Sequence, residues 1–159
     1  MPKTSAGLLP YRFAVDGSLE VFIVHPGGPF WAKKDEHAWS VAKGEYEPAS
    51  ESPEAAAERE FTEETGIPTP EGVRTDLGEI RQSSGKRVRV WAVETEDLPD
   101  GVVIGNTFEM EWPPRSGTTE LFPEVDRAAW MTIPEARVRL VVAQVVLLDR
   151  LLARRGVEH

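Results

Sequence analysis

Apolar and polar positions change their period several times along this chain, and each change marks an element. Residues 6–15 and 19–25, the latter reading LEVFIVH, carry the apolar density of two strands. Val15, Asp16, Gly17 and Ser18 between them read as a turn, which makes the pair a hairpin. A loop rich in Gly and Pro follows, HPGGPFWAKKDEHAW, and residues 38–42 read as a short strand leading into Lys43 and Gly44. The pattern then turns helical. Ser52 is a good N-cap, Pro53 suits the first helical position, and Glu54 falls in the favourable first turn. Gly66 is a natural left-handed stop, with Pro68 just beyond it.

Two further strands are expected over residues 75–82 and 86–94, flanking the turn Ser83, Ser84, Gly85 and Lys86. A loop, NTFEMEWPPRSGTTELFPE, precedes a short strand near residues 128–131. From Pro134 to about Arg154 the pattern is strongly helical, with Thr132 or Ile133 near its cap. There is no internal repeat or long linker. Strands on both sides of an early helix, closed by a last helix, predict an α/β fold with a mixed sheet. All 159 residues are read as one domain.

Composition narrows the chemistry. The chain has no cysteine, which excludes disulfides and thiolate metal sites, so any metal must be held by oxygen or by the three histidines. A net charge of −9 argues against a protein that tracks a nucleic-acid backbone. It does not forbid a small phosphorylated ligand held through divalent cations. The first residues lack the apolar core of a signal peptide, and no run approaches a membrane span, so the expectation is a cytoplasmic protein with no membrane partner. Oligomeric state is not legible.

The acidic charge is concentrated. Residues 44–67 hold eight glutamates, and Glu60, Glu63 and Glu64 crowd the C-terminal end of the predicted helix, where the dipole is already negative. At ~100° per residue these three share one face within an arc of roughly 100°. Phe61 and Ala57 form an adjacent apolar stripe suited to a sheet, while the small Ala56 and Pro53 near the acids leave room for a ligand. Glu60 and Glu64 are a like-charge i,i+4 pair that costs a few tenths of a kcal/mol. Convergent carboxylates are what a hard cation such as Mg²⁺ requires, although a solvated helix face is the ordinary reading of a charge run. Glu54 and Glu58 point elsewhere on the wheel and are assigned to solvent.

The frame around these acids, Gly44, Glu51, Arg59-Glu60-Phe61, Glu63-Glu64 and Gly66-Ile67, resembles the Nudix box. It departs from the usual form by one extra residue between Gly44 and Glu51, placed where the Gly44 carbonyl could be re-aimed, and by Ala42 where many relatives carry proline. The resemblance implies the Nudix fold, a mixed β-sheet sandwiched between α-helices, over nearly the whole chain. It also implies hydrolysis of a nucleoside diphosphate linked to another moiety, with Mg²⁺ or Mn²⁺. Carried over residue by residue, Glu60, Glu63 and Glu64 are the metal-site acids, with Glu60 and Glu63 also candidates in catalysis, and the Gly44 carbonyl completes the shell. Arg59 orients the acids, through a salt bridge to Glu51. The general base lies within the box or on a later loop, where the candidates are Glu109, Glu111, Glu120 and Glu124. Glu124, six residues before Trp130, is preferred for its similarity in placement to an extra acid of several Nudix enzymes.

Clues to the substrate are thinner. Arg87 and Arg89 alternate with Val88 and Val90, so both face one side of a strand, toward phosphates or toward solvent. Lys33, Lys34 and Lys43 lie on the approach to the box, with Lys43 best placed for a phosphate. Trp31, Trp39 and Trp112 can stack on a base, and at least two of them are expected in the core instead. His25 and His37 read as loop residues and His159 as terminal, with no ligand spacing among them. The entry to the box is similar to that of diadenosine-polyphosphate hydrolases and of nucleoside-triphosphate pyrophosphatases. ADP-ribose or nucleotide-sugar hydrolysis, and a non-catalytic nucleotide sensor, remain the alternatives. An isomerase on the same fold would call for cysteine chemistry.

Overall fold

The computed structural model describes residues 4–82, 85–96, 98–102 and 105–155. Ser83 and Ser84 of the expected turn, and His159, lie outside these. The apolar first hairpin forms as β1 (Thr4–Phe13) and β2 (Leu19–Pro26), turned at Gly17 with φ 88°. β1 pairs antiparallel with β2 only over its last residues, Tyr11 to Phe13. Its first half pairs instead with β3 (Ala42–Glu45), where Ala6 stands opposite Gly44 and Gly7 opposite Lys43. The strand expected over 38–42 is therefore shifted toward the box, and of its first part isolated bridges remain, from Ser40 to Val24 and from Trp39 to Leu140.

The sheet continues through β4 (Arg74–Arg81), β5 (Arg87–Glu94), the two-residue β6 (Gly101–Val102) and β9 (Val125–Thr132), in the order β4-β5-β1-β2-β9-β6. The β1–β5 pairing is parallel and the others are antiparallel, which makes the sheet mixed. β6 was not expected, and β9 is longer than residues 128–131. His25 belongs to β2 and is wholly buried rather than in a loop.

Helix α1 (Pro53–Thr65) forms as its capping residues dictate. Ser52 Oγ accepts from Ala55 N, and Gly66 closes the end at φ 72°. It covers one face of the sheet, where Ala57 and Phe61 pack with Ala6, Leu8, Trp91 and Val93. Ala56 joins that core fully buried, so it opens no space beside the acids.

The other face is covered by the C-terminal segment, which is not one helix. α2 (Ile133–Arg139) starts at a Thr132 capping box and stops at Leu140, which is extended. A single 3-10 turn (Val142–Gln144) then leads to α3 (Val146–Arg155). The reason lies far away in sequence. His37 N donates to Val138 O at 2.9 Å, Trp39 N to Arg139 O at 2.8 Å, and His37 Nδ1 to Leu140 O at 2.8 Å. Carbonyls that a continuing helix would use are thus taken by loop 37–39.

The expected loop 106–124 is also partly wrong. It contains a separate antiparallel hairpin, β7 (Thr107–Glu111) and β8 (Thr119–Pro123), off the main sheet. Glu111 ties its turn by accepting from Arg115 N at 3.1 Å and Gly117 N at 3.2 Å. Proline and glycine density concealed two strands whose turn is held by a side chain. Among the described residues no helix is long and apolar enough to cross a membrane.

Candidate active site

α1 lies over β3, and this one contact builds the centre of the site. Gly44 sits directly under Glu60, so close that a Cβ there would overlap the Glu60 carboxylate. The extra residue of the box is taken up in a turn over 47–51, with Ser50 N bonded to Glu47 O at 2.9 Å. Gly44 keeps its pairing with Ala6, and Glu51 still reaches α1.

Arg59 meets Glu51 in a bidentate contact along one edge of its guanidinium, Nε to Oε2 at 2.8 Å and Nη2 to Oε1 at 2.9 Å. Its remaining Nη1 spans two box acids, Glu60 at 2.8 Å and Glu63 at 2.9 Å. The guanidinium therefore fixes three carboxylates at once. Its own pKa is raised, chiefly by the bonds to Glu51.

The acids differ in setting. Glu60 is 9% exposed, and burial raises its carboxyl despite the opposing Arg59 charge. Half-buried Glu64 accepts from the Lys43 main-chain N–H at 3.1 Å. Burial pushes it up to about 8, opposed by Lys43 and reinforced by the Glu60 and Glu124 charges. Burial pushes the Lys43 amine down, with the Lys86 charge adding to the fall. Among the described residues no three carboxylate or imidazole groups already enclose a space for an ion.

Glu124, in the bend between β8 and β9, reaches the same place from a different direction. It lies close enough to raise both Glu60 and Glu64 electrostatically. Glu64 and Glu124 together edge a cavity of about 330 Å³ whose walls are Phe30 and Trp31 from loop 27–34 and Phe108 and Met110 from β7. Phe30 also meets Trp112 edge-to-face at 5.8 Å between centroids.

The remaining candidates are distributed more widely. Glu109 and Glu111 lie on the side of β7 opposite Phe108 and Met110, whereas Glu120 stands across from Met110. Arg87 and Arg89 are on the α1 side of the sheet, but their described ion pairs are with Glu79 at 4.0 Å and Asp76 at 2.5 Å of β4. Lys34 Nζ stands over the Trp31 ring at 5.2 Å. Of the three tryptophans only Trp39 is core, donating Nε1 to Asp35 at 2.6 Å, while Trp112 is half-buried and Trp31 is 39% exposed. Two core tryptophans were expected. Phe30, Phe108 and Met110 were missed, although Thr-Phe-Glu-Met-Glu over 107–111 alternates with period two, which is the signal of a one-sided strand.

The fold has known counterparts. The NUDIX domain model matches residues 11–151. An Ap4A hydrolase binary complex from C. elegans superposes with a TM-score of 0.66 at 20% identity, covering 96% of this chain and 98% of that one. The NUDIX domain of Shewanella oneidensis NrtR complexed with ADP ribose gives 0.67 at 14% identity, covering 98% and 89%. The E. coli ORF135 protein gives 0.56 at 21%, covering 98% and 93%. No curated protein sequence matches the chain.

Proposed function

The chain belongs to the NUDIX-domain family, and from that premise we propose that it is a pyrophosphohydrolase that cleaves, with Mg²⁺ or Mn²⁺, the phosphoanhydride of a nucleoside triphosphate or dinucleoside polyphosphate. The observation that carries this reading is the meeting of two unlike surfaces. Glu64 and Glu124 edge an apolar, aromatic-walled cavity, and Glu64 follows on α1 the Glu60 and Glu63 that Arg59 clamps. Such a pair suits a ligand with a planar base at one end and phosphates at the other.

The donor set fits a hard divalent cation. It consists of oxygens only, and burial together with neighbouring negative charge raises Glu60 and Glu64, a cost that a bound positive charge offsets. Glu60, Glu63, Glu64 and the Gly44 carbonyl would hold the ion, which when bound neutralises phosphate charge and acidifies a coordinated water. This chain's residues do the rest. Arg59 keeps Glu60 and Glu63 from turning away, Lys43 meets phosphate oxygens beside Glu64, and Arg87 and Arg89 lend positive charge along the same side of the sheet. Water attacks phosphorus, the bond to the leaving phosphate breaks, and Glu124 takes the proton from the water. Glu63 is the second candidate for that proton. We read residues 1–159 as one domain acting in the cytoplasm on a small nucleotide, without a nucleic-acid or membrane partner.

A screen of nucleoside triphosphates, diadenosine polyphosphates, ADP-ribose and nucleotide sugars with Mg²⁺ or Mn²⁺, with products identified, tests this directly. Turnover of the first two groups is expected. Turnover of ADP-ribose or a nucleotide sugar alone moves the substrate to that class. Tight binding of a nucleotide with no product from any of them would make the protein a sensor and overturn the hydrolase reading.

A further inference from the structure

Glu124 is exposed, sits in a bend, and comes from a part of the chain sixty residues beyond the helix acids it approaches, so something must fix its position. Three main-chain hydrogen bonds in series do so. Asn106 N donates to Glu63 O at 2.7 Å, Glu124 N donates to Asn106 O at 2.9 Å, and Gly27 N donates to Glu124 O at 2.9 Å. The strap thus runs from the last turn of α1, through Asn106 and Glu124, to the start of the loop that carries Phe30 and Trp31.

Its first anchor has a clear cause. α1 ends at Thr65, which leaves the Glu63 carbonyl without an intrahelical donor, and Asn106 N supplies one. The fit is tight at both ends. A Cβ on Gly105 would overlap the Glu63 and Glu64 carbonyls, and a Cβ on Gly27 would overlap the Pro123 carbonyl. Neither residue lies in the left-handed region, so glycine is needed there for space alone. Two glycines used for close approach on either side of one acid mark a position set by contact.

We propose that this strap holds the Glu124 carboxylate in register with Glu60, Glu63 and Glu64, and that Gly105, Asn106 and Gly27 are its positioning residues. The proposal rests on the assignment of Glu124 as the base. A shift of about 1 Å in a reacting group can cost on the order of a hundredfold in rate, which makes register worth fixing.

The test is a double-mutant cycle on the best substrate from the screen. Gly105→Ala is expected to lower kcat about tenfold or more with KM little changed, and Glu124→Gln to lower it at least as far. In the double variant the Gly105→Ala loss should disappear, because the group it displaces no longer acts. Losses that multiply would overturn the strap and leave Glu124 as the base. A Glu124→Gln protein as fast as the parent would overturn both that assignment and the strap, while the hydrolase reading stands on the helix acids. Should Gly105→Ala not fold, Asn106→Pro removes the first donor and is read in the same cycle. Amide exchange gives a readout free of activity: Asn106, Glu124 and Gly27 should exchange slowly in the parent, and Glu124 faster in Asn106→Pro. Exchange at open-loop rates in the parent would end the proposal.

Discussion

The two faces of the sheet bury polar groups on opposite terms. On the α2–α3 face the apolar layer of Leu140, Leu147, Leu148, Leu151 and Leu152 encloses a fully buried Gln144. That amide is fully engaged: its oxygen accepts from Val41 N at 2.9 Å, and its nitrogen faces Ser40 Oγ at 3.0 Å and Gln82 Oε1 at 3.2 Å. On the α1 face Glu60 and Glu64 are also drawn out of water, but burial pushes each toward its neutral form. The Gln144 amide on the α2–α3 face is satisfied by protein partners and serves stability. The α1 face carries more negative charge than its own cations settle, and the remainder is available to a ligand.

The largest test of that contrast is Glu64→Gln. It removes a carboxyl that burial already pushes toward its neutral form while keeping an oxygen for the Lys43 N–H. Turnover should fall by about a hundredfold or more while the melting temperature holds or rises. A parental rate would remove Glu64 from the site. Leu148→Ala on the other face should do the reverse, costing about 2–5 kcal/mol in chemical denaturation with kcat unchanged. A lost kcat in the folded variant would mean that the faces are not separable.

Divalent metal sharpens the comparison further. At ten times its Kd, Mg²⁺ should stabilise the parent by about 1.4 kcal/mol, reversed by a chelator and much reduced in Glu63→Gln. An equal gain in that variant would put the ion elsewhere. The smallest effect concerns Asp35, which anchors loop 37–39 to the α2 side. The Trp39 N–H bond holds its carboxyl below the ordinary value, so its contribution is present above the unfolded pKa and is lost as pH falls through the lower folded one. After solvent screening, Asp35→Asn should cost on the order of 0.5 kcal/mol at pH 7, and the difference should begin to shrink at about pH 4 and vanish below the lowered folded value. A constant difference across that range would exclude the ionised carboxylate as its source.

Legibility followed the range of the interactions involved. α1 was readable to the residue because Ser52, Pro53 and Gly66 act within one turn of themselves. The Arg59–Glu51 bridge, implied by the Nudix resemblance, spans only eight residues. The continuous final helix was wrong because periodicity cannot see that loop 37–39 takes the carbonyls at 138–140. His25 read as a loop residue because its partners, Asp126 and the Lys34 carbonyl, converge only in the fold.

The sequence by itself determined the periods, the caps and the typed spacing of the acids on α1, because each is written in residues a few positions apart. Tertiary structure alone decided that Gly44 lies under Glu60, that β7 turns Phe108 toward Phe30, and that Glu124 arrives beside Glu64. Those contacts join segments sixty or more residues apart or depend on the space between packed backbones, and no local pattern encodes either.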